Sequence, residues 1–164
     1  MISTMNNAQE TITIELAGLK ATDELAQCLA RVAKTGDVIA LCGDLGAGKT
    51  AFARAFIRSL TDPNEDVPSP TFTLVQSYEG RDLEIYHFDL YRLERAEDVF
   101  ELGIEDALND AVSLIEWPER MGTYIPRDRL EVRLTITRGK HHRQVELTPH
   151  NTDWSERLRA CGHG

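Results

Sequence analysis

The chain has 164 residues, 41% of them hydrophobic and 27% charged, with a formal net charge of −9. That length suits one domain with one core and excludes two independent ones, and the composition is that of a globular protein, not a disordered one. The acidic balance argues against direct, tight nucleic-acid binding by this chain alone, because such a field repels phosphate backbones unless the basic groups are segregated on one face.

The opening, MISTMNNAQETI, has no basic n-region and no apolar h-region. No stretch approaches the roughly 18 apolar residues that span a bilayer, so the expectation is a cytoplasmic protein with no membrane contact. Three cysteines, Cys28, Cys42 and Cys161, form an odd set without C-x-x-C. They predict reduced thiols with neither a disulfide framework nor a zinc site, and a buried Cys42.

Residues 11–16 (TITIEL) alternate at period two and predict an opening strand. Thr22 or Asp23 then serves as an N-cap, and Leu25, Leu29, Val32 and Ala33 recur at helical spacing to about Lys34, before Gly36. The run DVIALC, 37–42, is continuous and apolar, as in a strand buried on both faces. From Lys49 onward, Phe52, Ala53, Phe56, Ile57 and Leu60 mark a second helix, followed by a loop over 61–70. Strands are expected at 72–79 and 83–88, joined as a hairpin by Gly80-Arg81-Asp82. Helical stretches near 96–102 and 105–109 precede a buried strand, AVSLI, at 111–115. Strands 130–136 and 144–147 form a closing hairpin around Arg138-Gly139-Lys140, with one loose helix beyond Thr148. Strands interleaved with helices predict a three-layer α/β fold, a mixed central sheet flanked by helices. It would form a single domain over 1–164, with its core at about 11–148.

One segment carries recognisable chemistry. Gly43-Asp44-Leu45-Gly46-Ala47-Gly48-Lys49-Thr50 fits G-x-x-x-x-G-K-[ST], and it lies after a buried strand and opens a helix. Glycines let successive N–H groups converge on phosphate oxygens, and the helix N-terminus adds positive potential. Lys49 would reach the β- and γ-phosphates, and the Thr50 hydroxyl would ligate the magnesium that bridges them. The prediction is a P-loop binding a nucleoside triphosphate with Mg2+; the motif alone leaves ATP and GTP both open.

A P-loop also needs a carboxylate at the end of an apolar strand. Glu116, after Val112-Ser113-Leu114-Ile115, is the better match for the metal, and Asp89, after Ile85-Tyr86-His87-Phe88, is the second. Asp89 could hold a metal-bound water, act as general base, or simply cap a following helix. Ser69 and Thr71 lie between the P-loop and the carboxylates, where a γ-phosphate-sensing hydroxyl sits in many P-loop proteins; a plain turn is the alternative. Trp117 either stacks on a base or partner or packs at the rim, with packing favoured. Of the five histidines, His87, His141, His142, His150 and His163, none shows metal-ligand spacing, and all but His87 read as surface.

GDLGAGKT, SPTFTLV, YHFDLYRL and IEWPE, in that order and at these intervals, closely resemble the TsaE family, the ATPases of bacterial tRNA threonylcarbamoyladenosine biosynthesis. The resemblance covers about residues 22–134. It implies a small ATPase working with two partners, of the TsaB and TsaD type, in placing threonylcarbamoyl on adenosine 37 of tRNAs that read codons beginning with adenine. tRNA would be engaged only through that complex. By position, the family's phosphate loop falls on Gly43 to Thr50, its magnesium ligands on Thr50 and Glu116, its required aspartate on Asp89 and its tryptophan on Trp117. Adenine contacts are not fixed by it, with Thr22 a guess.

Two rivals stay open. A small-molecule or nucleoside kinase would need an acceptor pocket and an arginine-bearing lid, and the 61–70 loop has no arginine. A non-hydrolysing nucleotide switch would differ only in whether Asp89 and Glu116 support attack by water. Hydrolysis by the chain alone should be slow, since no arginine is obviously aimed at the γ-phosphate; Arg92 or Arg95 could serve in cis, or a partner could supply one in trans.

Overall fold

Val38–Cys42 is buried at every position, which is possible only for a strand covered on both faces and paired on both edges. The computed structural model, which describes residues 10–139 and 141–162, places this strand at the centre of a seven-stranded sheet. The strands are β1 (Ile12–Leu16), β2 (Val38–Cys42), β3 (Val75–Glu79), β4 (Glu84–Asp89), β5 (Ala111–Glu116), β6 (Leu130–Ile136) and β7 (Arg143–Pro149). Their order is β1-β7-β6-β2-β5-β4-β3. Pairs β4/β5, β5/β2 and β2/β6 are parallel; β3/β4, β6/β7 and β7/β1 are antiparallel, so the sheet is mixed.

The helices are α1 (Leu19–Val32), α2 (Lys49–Leu60), α3 (Ile104–Asp110) and α4 (Thr152–Ala160), with 3₁₀ segments at Ala96–Leu102 and Pro118–Tyr124. Alternation along the strands divides the core. Ile39, Leu41, Val112 and Leu114 pack with Phe52 and Phe56 of α2, Leu25 and Leu29 of α1, and Trp154 of α4. Val38, Phe88 and Ile115 face the other way, against Val99, Ile104 and Met121. Truncating Phe52 or Phe56, both fully buried, would cost on the order of 3–5 kcal/mol.

The expected three-layer α/β fold is the observed one, and both hairpins are antiparallel as predicted. Four local differences have physical causes. α1 starts at Leu19 instead of after Thr22, because Gly18 takes φ 131° and turns the chain out of β1 a turn earlier; Thr22 is buried within the helix. β3 starts at Val75, not residue 72, because Leu74 adopts φ 67° and its N–H bonds to Pro70 O, which holds 70–74 as a turn. The 3₁₀ segment after Trp117 has no apolar period to announce it. β7 runs longer than 144–147 and pairs residue for residue with β6 from Arg143 to Pro149.

The cysteine expectation needs correction. Cys28 of α1 and Cys161, just past α4, form a disulfide with Cα atoms 6.1 Å apart at a sequence separation of 133. No local spacing could signal such a pair; only the packing of α4 beside α1 creates it. Cys42 is free and buried, as expected. The predicted features at the first nine residues, at Lys140 in the hairpin turn and at His163 lie outside the described residues.

Candidate active site

β2 delivers the chain into the Gly43–Thr50 loop, and α2 carries it away. Gly43 takes φ 145°, and a Cβ there would sit 2.6 Å from Leu134 O, so the loop can lie against β6 only with glycine. Gly48, at φ 108°, is the N-cap of α2, and any L side chain would be strained there. The loop is braced from β7: Arg143 Nε donates to Ala47 O at 2.8 Å, and a terminal nitrogen donates to Gly46 O at 3.3 Å.

Lys49 is buried, and its Nζ donates to Gly43 O and, at 2.9 Å, to Asp44 O. It also lies 4.1 Å from the centre of the Trp117 ring. Burial lowers its pKa, while Glu116, Glu119 and Asp89 oppose that shift.

Parallel pairing sets Asp89 directly beside Glu116, at the ends of β4 and β5. Glu116 accepts from Thr50 Oγ1 at 3.0 and 3.2 Å, which ties the strand end to the first turn of α2. Asp89 Oδ1 accepts from the Tyr91 N–H at 3.1 Å and Oδ2 from Thr71 Oγ1 at 3.3 Å; Thr71 in turn bonds Ser69 Oγ at 2.7 Å. A line of hydroxyls therefore leads from the 69–74 turn to the carboxylate pair. Asp89 is not a helix N-cap: Arg95 precedes the next helical segment, and Asp89 closes a turn of its own. Burial raises the Asp89 pKa, the Tyr91 and Thr71 hydrogen bonds oppose this, and neighbouring Glu116 adds to it.

A cleft of about 370 Å³ opens over this arrangement. Leu45, Gly46, Gly48, Lys49, Thr50, Ser69, Thr71, Asp89, Glu116 and Trp117 line it together, with Tyr91 and Arg92. Gly43 and Asp44 face a neighbouring cavity with Trp117 and Glu119, and Ala47 borders that one and another. The latter, about 190 Å³, shares Gly48 with the cleft and is walled by Gly18, Leu19, Thr22, Leu134 and Arg143. Trp117 takes φ 57°, an uncommon conformation for a large residue, and packs 5.0 Å from Tyr91 while facing the cleft, so its packing and lining roles coexist. Of the two arginines weighed, Arg92 lines the cleft and lies over Phe72 at 4.7 Å; Arg95 pairs with Asp98 on the surface.

Magnesium fits the donors present. Thr50 and Glu116 offer hard oxygens already within 3.2 Å of each other, and this ion keeps its remaining positions for water and phosphate.

Two residues escaped the sequence reading. His87 is fully buried, and its Nε2 meets Glu116 Oε2 at 2.6 Å. Its signal was present, since it precedes Asp89 by two and so shares its strand face. Arg143 had none, because its contacts with Gly46 and Ala47 join segments 96 and 97 residues apart. His141 and His142 are exposed as expected, whereas His150 is half-buried against Glu131 at 3.0 Å.

A match to the family described as "Threonylcarbamoyl adenosine biosynthesis protein TsaE" runs over residues 16–145. The chain is 44% identical over 115 residues to the tRNA threonylcarbamoyladenosine biosynthesis protein TsaE of Rickettsia felis, covering 70% of this chain and 67% of that one. Against the proteins of the same name from Bacillus subtilis and Nostoc sp. it is 36% identical over 128 residues and 40% over 150, covering 77% and 87% of this chain and 78% and 89% of theirs. The crystal structure of Bacillus subtilis YdiB superposes with a TM-score of 0.74 at 26% identity, covering 93% of this chain and 95% of that one. The phosphate loop, the hydroxyl-bearing turn and both carboxylate strands all fall inside the matched span, and this chain belongs to the TsaE family, a nucleotide-binding P-loop family of tRNA threonylcarbamoyladenosine biosynthesis.

Proposed function

We propose that this protein is a magnesium-dependent ATP hydrolase required to form threonylcarbamoyladenosine at position 37 of tRNAs reading codons that begin with adenine. The observation that carries this is the meeting of Thr50, Glu116 and Asp89 in one cleft at the start of α2. The whole chain acts as one ATPase domain in the cytoplasm; no described helix is long and apolar enough to cross a membrane.

The phosphates lie along the loop, and the adenosine end occupies the smaller cavity beyond Gly48, where Leu19 and Leu134 offer apolar walls. Lys49 exchanges the carbonyls of Gly43 and Asp44 for the β- and γ-oxygens, and its burial strengthens that attraction. Thr50 and Glu116 hold magnesium, which when bound neutralises charge on the phosphates. Asp89 sits beside them with a raised pKa, nearer the range in which a carboxylate takes a proton from an attacking water. Ser69 and Thr71 sense the γ-phosphate, because their hydrogen bonds already end on Asp89.

Leu45 and Tyr91, 67% and 38% exposed, line this cleft, and Phe72, 82% exposed, stacks on the cleft-lining Arg92, giving an apolar surface beside it. That surface suits TsaB- and TsaD-type partners that close over the nucleotide, with tRNA engaged through them. The kinase reading is disfavoured because the 61–70 loop lacks arginine and is itself held down by Arg54 and Arg58 of α2, through Val67 O and Glu65 O.

Phosphate release from ATP by wild type and Lys49→Ala, alone and with both partners and tRNA, tests this. Magnesium-dependent release that the partners accelerate and the mutation abolishes is expected. Transfer of the γ-phosphate to an added small acceptor would overturn it.

A further inference from the structure

Below the Asp89–Glu116 pair, the buried face of β4 and β5 is apolar except at one point. Ile85 of β4 and Val112 and Leu114 of β5 are fully buried there, and the alternation places His87 among them, opposite Leu114. A fold needing only a core would have an aliphatic residue at 87. Instead it buries an imidazole whose Nδ1 has no hydrogen-bond partner among the described residues, a cost that the core does not require. Among the described residues the ring's one hydrogen bond is that of Nε2 with Glu116 Oε2, at 2.6 Å. A carboxylate offers lone pairs alone, so Nε2 is the donor and the ring holds its proton there.

Glu116 is thereby held from two sides. Thr50 Oγ1 approaches Oε1 at 3.0 Å and Oε2 at 3.2 Å, and His87 takes Oε2 from beneath. We infer that His87 is a positioning residue for Glu116: its Nε2–H fixes the carboxylate rotamer so that Oε1 stays turned toward Thr50, where the metal is to be held. The inference rests on the magnesium role of Glu116 proposed above. It assigns His87 no contact with nucleotide, water or metal. Outer partners of this kind typically govern metal affinity by roughly 10–100-fold.

The test is the magnesium dependence of binding a non-hydrolysable ATP analogue, alongside binding of ADP without metal, for His87→Phe, His87→Gln and His87→Asn. Glutamine carries an N–H at the position of Nε2, whereas asparagine carries it at that of Nδ1. His87→Phe and His87→Asn should raise the half-saturating magnesium concentration about 10–100-fold, His87→Gln should restore most of it, and metal-free ADP binding should stay unchanged. In a Glu116→Gln background, His87→Phe should add no further loss. The inference is overturned if glutamine is no better than asparagine, or if His87→Phe weakens magnesium binding equally with and without Glu116. It also falls if metal-free ADP binding declines in step. Should Glu116→Gln itself leave the magnesium dependence intact, the metal role of Glu116 fails first, and that outcome is separable from the others.

Discussion

Asp89 carries the sharpest conflict between stability and use. Burial raises its pKa, so ionising it costs the folded chain more than the unfolded one, and its contribution to stability falls as pH rises through the folded value. Asn can still accept from the Tyr91 N–H and meet Thr71. Asp89→Asn should therefore raise the melting temperature at neutral pH relative to wild type, with the gain vanishing under acid, while phosphate release falls about 10²–10⁴-fold. Thermal melts at pH 4 and pH 7.5 with a parallel phosphate assay check both. Gly43→Ala should fail differently: a methyl 2.6 Å from Leu134 O pushes the loop off β6, so ATP-analogue affinity drops at least tenfold by titration. Most residues facing the cleft were legible because phosphate chemistry admits few residue types at fixed spacing. His87 shared the strand period of Asp89 and could have been found; Arg143 could not, since only the sheet order brings β7 to the loop.

Elements were legible where one periodicity ruled. β2, α2 and β5 have the expected bounds to within a residue or two, because a continuous apolar run or a helical stripe leaves little choice. They failed to be legible where a single backbone angle decides, as at Gly18, Leu74 and Trp117. α4 was foreseen only as a loose helix, yet it is a structural clamp. Asn151 caps it by accepting from the Trp154 N–H at 2.7 Å, and Trp154 and Leu158 enter the core. Arg157 forms a bidentate pair with Asp37 at 2.6 and 2.8 Å and also donates to Val32 O. Both side chains are about nine-tenths buried, so removing one charge strands the other. Arg157→Met should destabilise the fold by about 3–5 kcal/mol in urea titration, with turnover per folded molecule unchanged, because Asp37 precedes β2 and lies away from the cleft.

At the scale of the whole molecule, the three cysteines behave as two populations. Burial and Glu131 push the Cys42 thiol up to about 12, so it is neither exposed nor ionised at ordinary pH. Alkylation followed by mass measurement should label no cysteine in the native oxidised protein, Cys161 ahead of the buried Cys28 after mild reduction, and all three after denaturation with reductant. Reduction should also lower the melting temperature, since the Cys28–Cys161 link closes a loop of 133 residues in the unfolded chain. The strand order has a further consequence, for synthesis on the ribosome. β2, which feeds the phosphate loop, is flanked in the finished sheet by β5 and β6, and among the described residues β1 pairs only with β7, so the first strand made waits for the last. A nascent chain halted after β5 holds Thr50, Asp89 and Glu116 but lacks the Leu134 wall and the Arg143 brace. Nucleotide capture should therefore switch on abruptly, not gradually, as β7 leaves the exit tunnel, and ribosome-bound chains of increasing length would show the step.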